Sequence, residues 1–106
     1  MKAKLKDNMK ILVAKKENLI IGVIAFRDKS HISMLFVDKE YHKQGIGSTL
    51  LKYAIFDCTY HESTDKVTVN SSPYAVEFYR KLDFEEIGDE QVVDGIKFTP
   101  MALFTK

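Results

Sequence analysis

The chain has 106 residues, 45% of them hydrophobic, which suits one small domain with its own core. A formal net charge of +1 does not provide the basic surface that nucleic-acid binding needs, so we expect no nucleic-acid partner. The single cysteine, Cys58, excludes an intramolecular disulfide, and no apolar run is long enough for a signal peptide or a membrane span. We therefore expect one soluble, cytoplasmic domain over residues 1–106, with no membrane partner.

Three short apolar runs separated by polar turns open the chain, in the pattern of a β-meander. The runs cover residues 9–14, 19–26 and 31–37. The second run is apolar on both faces, which predicts a central strand. In the third run, simple alternation groups Ile32 with Met34 and Phe36 on one face of the sheet.

A helical pattern follows the third strand. Apolar residues recur there at intervals of three and four, as Ile46, Leu50, Leu51, Ala54, Ile55 and Cys58. A short strand is predicted over residues 66–70. Ser72 and Pro73 then predict the start of a second helix, with Ser72 as the N-cap and Pro73 at the first helical position.

The end of the chain has the pattern of a final pair of strands, over residues 84–87 and 96–104. Asp94-Gly95 between them is a hairpin signal. Pro100 lacks a backbone N–H, so it predicts an edge or a bulge in the last strand.

The predicted order βββ-α-β-α-ββ is that of an α/β (α+β) domain with a mixed, mostly antiparallel sheet. A strand–helix–strand unit needs a right-handed crossover, which makes the third and fourth strands parallel. Open α/β sheets bind ligands at the carboxyl ends of their strands. Val37 and Asn70 occupy two such ends, each beside a predicted helix start.

Gly45-Ile46-Gly47 opens the first helix directly after a strand and a polar turn. Unpaired backbone N–H groups and the positive end of the macrodipole make such a helix start suitable for an anion, phosphate above all. The dinucleotide fingerprint needs a third Gly or Ala at position 50, where this chain has Leu50. The Gly-Lys-Ser/Thr of a mononucleotide P-loop is also absent.

The stretch LFVDKEYHKQGIGSTLL resembles the acetyl-CoA-binding signature of the GCN5-related N-acetyltransferases, the GNAT superfamily. That signature, Gln/Arg-x-x-Gly-x-Gly/Ala, falls on His42 to Gly47; both glycines match, and His42 replaces the leading Gln or Arg. The later stretch VNSSPYAVEFYRKLDFEE resembles a second family segment, which is matched at Ala75, Phe78, Tyr79 and Phe84. Ser72 and Asp83 depart from that second pattern, which usually has Asn and Gly there.

The resemblance implies an acyl-CoA N-acyltransferase-like fold and an N-acetyltransferase. Such an enzyme moves acetyl from acetyl-CoA to a primary amine of a small molecule or peptide by direct attack. Backbone groups of Phe36 and Val37 would pair with the pantetheine arm, and the Val37 N–H would face the acyl oxygen. N–H groups from Gln44 to Thr49 would hold the pyrophosphate. The implied cofactor-binding residues are Phe36, Val37, His42, Lys43, Gln44, Gly45, Ile46, Gly47, Ser48, Thr49, Asn70 and Ser72.

Tyr79 matches the family's usual general acid, which would return a proton to the leaving thiolate. The alternative is that Tyr79 is an aromatic residue at the edge of the core. Candidates for a base, by location alone, are Asp28, His31, Asp38 and Glu40, and none is assigned that role. The three histidines have no metal-ligand spacing, so no metal site is expected.

Two further expectations concern activity and assembly. A domain that binds coenzyme A or acyl-CoA without turnover is the alternative to an enzyme. Only Met1 to Asn8 precede the first predicted strand, where family members carry a strand and helices. We therefore expect one side of the sheet and cleft to be less covered, and a homodimer in which the partner completes the cleft.

Overall fold

The computed structural model describes residues 9–28, 30–42, 44–61 and 64–105. The strands in these ranges are β1 Lys10–Lys16, β2 Leu19–Arg27, β3 His31–Val37, β4 Lys66–Ser71, β5 Glu85–Glu86, β6 Gln91–Val93 and β7 Ile96–Phe104. The helices are α1 Ile46–His61, α2 Val76–Lys81 and a 3-10 turn at Lys39–Tyr41. None of the helices within these ranges is long and apolar enough to cross a membrane.

The strands form a mixed sheet in the order β1-β2-β3-β4-β7-β5, and β6 pairs with the start of β7. Every pair is antiparallel except β3 with β4, which is parallel. The α1 helix lies between these two strands in the sequence. The predicted fold class, the central position of β2 and the parallel pair are therefore confirmed.

A β-bulge in β3 changes the predicted faces of that strand. Met34 pairs with Ala25 and Ile32 with Phe26, so Ser33 is an extra residue with no pairing position on β2. An extra residue reverses the side-chain alternation on one side of it. Ile32 is consequently 2% exposed in the core, whereas Met34 and Phe36 are 47% and 56% exposed on the other face. The prediction that grouped Ile32 with Met34 and Phe36 was wrong.

The α1 helix packs through its apolar stripe on the face of the sheet that includes Gly22 of β2. Leu50, Leu51, Ala54 and Cys58 of this stripe are all buried. Gly22 of β2 permits this contact, because a Cβ there would lie 3.0 Å from Leu50 Cδ1. The close approach brings the start of α1 directly beside the end of β3.

The second helix starts later than predicted. The Ala75 N–H bonds the Ser72 carbonyl at 3.1 Å, which closes a turn with Pro73 at its second position. The first helical bond runs from the Tyr79 N–H to the Ala75 carbonyl at 3.0 Å. The helix therefore begins at Val76, Ala75 takes the N-cap position, and Ser72 belongs to the preceding turn.

The end of the chain has one strand more than predicted. Asp94 and Gly95 both have positive φ, 53° and 80°, as in a type I′ hairpin, and they join β6 to β7. Pro100 lies in an interior strand rather than at an edge. Pro100 lies between the parts of β7 that pair with β5 and β6, and it stands opposite Asn70 of β4. Its carbonyl accepts from the Ile87 N–H, so its nitrogen also faces away from β4 and the missing hydrogen interrupts no bond of that ladder.

The sheet face opposite α1 is apolar and exposed at its β1-β2-β3 end. Cross-strand pairing aligns Val13, Val23 and Phe36 in one row and Ile11, Ala25 and Met34 in the next. Four of these side chains, Ile11, Val13, Met34 and Phe36, are between 40% and 56% exposed. We call these two rows the open face.

Candidate active site

The parallel strands β3 and β4 separate soon after they meet. They pair at His31 with Thr68 and at Ile32 with Val69, and no further along β3. The separation begins at the Ser33 bulge, because a bulge bends its own strand away from a neighbour. The result is a slot between residues 33–37 of β3 and residues 70–72 at the end of β4.

Two residues of β3 direct backbone groups into this slot. The Asp38 N–H bonds the Ile21 carbonyl at 2.8 Å, so residues 38, 36 and 34 direct their backbone groups toward β2. The N–H and carbonyl groups of Leu35 and Val37 alternate with these and point toward the slot. Phe36, expected to contribute backbone groups, instead pairs with Val23 of β2 and lines neither cavity of the site. Leu35 was not predicted, although it lies two residues before Val37 and shares its direction.

The glycine turn leads from the slot to the start of α1. Gly45 has φ of 77°, a conformation that residues with a Cβ rarely adopt. The Thr49 N–H is the first committed to the helix, through a 2.9 Å bond to the Gly45 carbonyl. The N–H groups of residues 45–48 therefore precede the helical pattern and remain for an anion. The expected set, residues 44–49, therefore loses Thr49, whose N–H is bonded within the helix.

Two adjoining cavities occupy the slot and the glycine turn. The outer cavity, about 680 Å³, is lined mainly by the glycine turn and by the loop before α2, and it includes Val37, Tyr41, His42, Gly45, Ile46, Gly47, Ser48, Tyr74 and Phe78. The inner cavity, about 280 Å³, includes Ser33, Met34, Asn70, Ser71, Ser72 and Tyr79. Leu35 and Ala75 line both cavities, so they mark the junction between them.

Tyr79 is fixed at the inner end of the slot. It is 5% exposed, and its ring makes edge contacts with Phe78 and Phe84 at centroid distances of 5.2 Å and 5.3 Å. Among the described residues, no partner holds its hydroxyl and no buried side-chain oxygen is sealed off unpaired, so the hydroxyl opens to the inner cavity. Burial raises the pKa of Tyr79 to about 12, which keeps the phenol protonated at neutral pH.

We expect the raised pKa of Tyr79 to delay its ionisation to higher pH and to make the free energy of unfolding depend on pH. The pKa rises from 10.0 to about 12 on folding. The contribution of neutral Tyr79 to stability is therefore fully present below pH 10 and is lost as the pH rises toward 12. Two units correspond to a loss of about 3 kcal/mol in the free energy of unfolding. Ultraviolet titration and denaturant unfolding of the protein and of Tyr79→Phe measure both effects. A difference titration that places the ionisation of Tyr79 at its ordinary pKa of 10.0 would contradict the assignment.

The remaining predicted site residues are distributed over the two cavities. Gly45, Ile46, Gly47 and Ser48 line the outer cavity, and Asn70 and Ser72 line the inner one. Gln44 and Thr49 are exposed beside the glycine turn and line neither cavity. Lys43 lies outside the described residues. His42 lines the outer cavity, and its Nε2 lies 2.9 Å from the Val37 carbonyl oxygen.

The four candidates for a base are not gathered in the slot. Asp28 and His31 lie at the opposite end of β3; Asp28 pairs with Arg27, and His31 Nδ1 contacts Thr68 Oγ1 at 2.8 Å. Burial, and then the Arg27 charge, lower the pKa of His31. Asp38 accepts the Glu40 N–H at 2.9 Å and so caps the 3-10 turn. None of the four lines the cavities described here, which leaves the base unassigned.

A model of the acetyltransferase (GNAT) domain family matches residues 1–104, and the chain belongs to this family. The uncharacterized N-acetyltransferase YafP of Escherichia coli K12 is 35% identical over 72 residues, which are 68% of this chain and 43% of that protein. A GCN5-related N-acetyltransferase structure from Rhodopseudomonas palustris superposes with a TM-score of 0.80 at 23% identity, covering 91% of this chain and 61% of that one. This chain thus spans less than two thirds of either relative.

A second solved structure contains a ligand. It is an aminoglycoside 6′-N-acetyltransferase complexed with coenzyme A, with a TM-score of 0.78 at 13% identity. The match covers 95% of this chain and 75% of that one. At this identity the likeness establishes the shared fold, which is the GNAT fold expected from the sequence.

Proposed function

We propose that this domain is an N-acetyltransferase that uses acetyl-CoA and acetylates a primary amine of a small molecule or peptide. One observation carries the proposal: the unpaired edge of β3 runs from the glycine turn, through Leu35, to the cavity that contains Tyr79. A long ligand could place a phosphate group at the glycine turn, amides along the edge of β3 and a reactive end in the inner cavity. Family membership and the coenzyme A complex of a structural neighbour support the same choice.

The residues of this chain fit coenzyme A in two respects. The N–H groups of residues 45–48 form an anion site at the start of α1, and Gly45 and Gly47 leave room for phosphate oxygens. The open N–H and carbonyl groups of Leu35, together with the N–H of Val37, can pair with the amides of an extended arm, as an added strand would. When bound, the cofactor supplies an acetyl thioester that an amine can attack.

Leu35 is the residue best placed to stabilise charge on the acyl oxygen. Leu35 lines the inner cavity together with Tyr79, whereas Val37 lines only the outer cavity. A fixed backbone N–H directed at the acyl oxygen stabilises developing negative charge without reorganising during the reaction. In this proposal the Leu35 N–H stabilises the acyl oxygen, and Val37 pairs with the pantetheine arm.

Tyr79 is proposed as the proton donor to the leaving thiolate. A pKa of about 12 is unfavourable for donation to a thiol of ordinary pKa, about 8.5, by roughly 5 kcal/mol. Burial raises the pKa of a thiol as it raises that of a phenol, and both groups would share the inner cavity. The difference between the two pKa values is smaller there. A hydrogen bond from Tyr79 then stabilises the negative charge that develops on the sulfur as the C–S bond breaks, and the proton follows.

Binding of the cofactor is tested by thermal unfolding with acetyl-CoA and with coenzyme A. A ligand that binds only the folded state stabilises it by RT ln(1 + L/Kd) at free ligand concentration L, so the melting temperature rises with the logarithm of ligand concentration above Kd. We expect both compounds to raise it, and inorganic pyrophosphate to raise it less. No shift with either compound at millimolar concentration would contradict the proposal.

A second candidate is a coenzyme A-binding domain without turnover. His42, Ser72 and Asp83 depart from the residues usual in the family signature, and the described residues place no base in the slot. Both candidates predict binding of acetyl-CoA. Amine-dependent thiol release distinguishes them.

We also propose that the domain forms a homodimer through the open face, and that it acts in the cytoplasm. The exposed apolar rows on three neighbouring strands support the first proposal, and the composition of the sequence supports the second. Light scattering after size-exclusion chromatography tests the dimer, which should dissociate with Val13→Lys but not with Val92→Lys on the β6 hairpin. A monomeric mass for the unaltered chain would exclude it.

A further inference from the structure

His42 makes a specific contact that anion binding does not require. Its ring reaches back five residues, and Nε2 lies 2.9 Å from the Val37 carbonyl oxygen. A carbonyl oxygen can only accept, so Nε2 carries the hydrogen and donates it. The contact joins the end of β3 to the residue three positions before Gly45, at the beginning of the glycine turn.

The peptide between Val37 and Asp38 is held from two sides. Its N–H donates to the Ile21 carbonyl of β2 at 2.8 Å, and its carbonyl accepts from His42 on the slot side. The turn that follows is bonded internally, since Asp38 accepts N–H groups from Glu40 and Tyr41 at 2.9 Å and 2.8 Å. The His42–Val37 bond therefore closes a hydrogen-bonded turn over residues 37–42, and this turn connects the slot to the anion site.

We propose that His42 is a positioning residue, whose imidazole holds the Val37 carbonyl and so fixes the slot edge of β3 relative to the phosphate-binding turn. This inference rests on the proposed function, because only a ligand that spans both parts responds to their spacing. His42 acts here through Val37 and needs no contact with phosphate. The side chain is exposed, so its removal should not unfold the domain.

Two ligands and three variants test this role. Acetyl-CoA spans slot and turn, whereas inorganic pyrophosphate occupies the turn alone. His42→Ala and His42→Phe remove the donor, the second while keeping a ring, and His42→Gln retains a donor. Calorimetric Kd values are compared with those of His31→Gln, a histidine variant at the far end of β3, as the matched control.

We expect His42→Ala and His42→Phe to weaken acetyl-CoA binding roughly 3- to 10-fold, the usual effect of losing one hydrogen bond. Pyrophosphate binding should stay unchanged, and His42→Gln and His31→Gln should bind acetyl-CoA as the unaltered protein does. Equal weakening of both ligands would show that His42 contacts phosphate directly, and full affinity in His42→Phe would show that ring packing suffices. Either result overturns the inference.

A spectroscopic measurement separates this inference from the proposed function. The ring nitrogens of His42, observed by nitrogen–proton correlation NMR where the imidazole is neutral, should show the Nε2–H tautomer. The Nδ1–H tautomer would overturn the positioning role whether or not acetyl-CoA binds. Failure of the unaltered protein to bind acetyl-CoA, with the Nε2–H tautomer present, would instead reject the proposed function and retain the His42–Val37 bond.

Discussion

Replacing Tyr79 with Phe should lower turnover by roughly 100-fold or more, the usual contribution of a positioned general acid. The affinity for acetyl-CoA should change little, because the ring and its contacts with Phe78 and Phe84 remain. The loss should appear in kcat and in kcat/KM together, as expected for an interaction made only in the transition state. Steady-state kinetics with calorimetric Kd values measure both quantities.

Tyr53→Phe is the matched control for this change. Tyr53 lies on α1, is 65% exposed and lines neither cavity. Its loss of a hydroxyl should leave turnover and affinity unaltered. Our assignment of Tyr79 would be wrong if Tyr79→Phe weakened acetyl-CoA binding while turnover of the bound cofactor stayed the same.

Replacing Gly45 with Ala should cost both stability and cofactor affinity. A Cβ at φ of 77° costs about 1–2 kcal/mol of backbone strain. Relief of that strain would turn the N–H groups of residues 45–48 away from their common direction. A hydrogen bond to a charged group contributes about 1.5–3 kcal/mol, so losing one weakens acetyl-CoA binding roughly 10- to 100-fold.

Two further variants distinguish the effect of backbone strain on stability from the effect on acetyl-CoA affinity. Gly95 has a similar φ of 80°, and a Cβ at either glycine would meet no atom within 4 Å. Gly95→Ala should therefore lose comparable stability without losing affinity, because Gly95 lines neither cavity. Gly45→Asn should retain more affinity than Gly45→Ala, since Asn tolerates positive φ. Equal affinity in Gly45→Ala and the unaltered protein would argue against a phosphate site here.

Local sequence patterns were sufficient for much of the fold and for parts of the candidate site. The β3 strand was predicted with its observed ends, and the Asp94-Gly95 hairpin and the stripe on α1 lie where expected. Each of these features depends on neighbouring residues alone. The glycine turn was located for the same reason, because positive φ and a helix start leave a short sequence signature.

The features that were missed depend on contacts between distant segments. The Ser33 bulge is defined by its register against β2, and nothing in HISMLFV marks the extra residue. That bulge moves Ile32 into the core and opens the slot in which Leu35 presents its backbone. The His42–Val37 bond depends likewise on how the 3-10 turn folds back. Ser72 was assigned as an N-cap because its type suited one, yet the turn through Pro73 displaced the helix start.

The central claim is that the slot carries out acetyl transfer rather than binding alone. The most direct measurement is thiol release from acetyl-CoA by the unaltered protein over a panel of primary amines and amine-bearing peptides, with the acetylated amine quantified by mass spectrometry. We predict release that requires an amine and matches the acetylated product one to one. Tight acetyl-CoA binding, with thiol release that no amine in the panel raises above the amine-free rate, would contradict it and leave a binding domain.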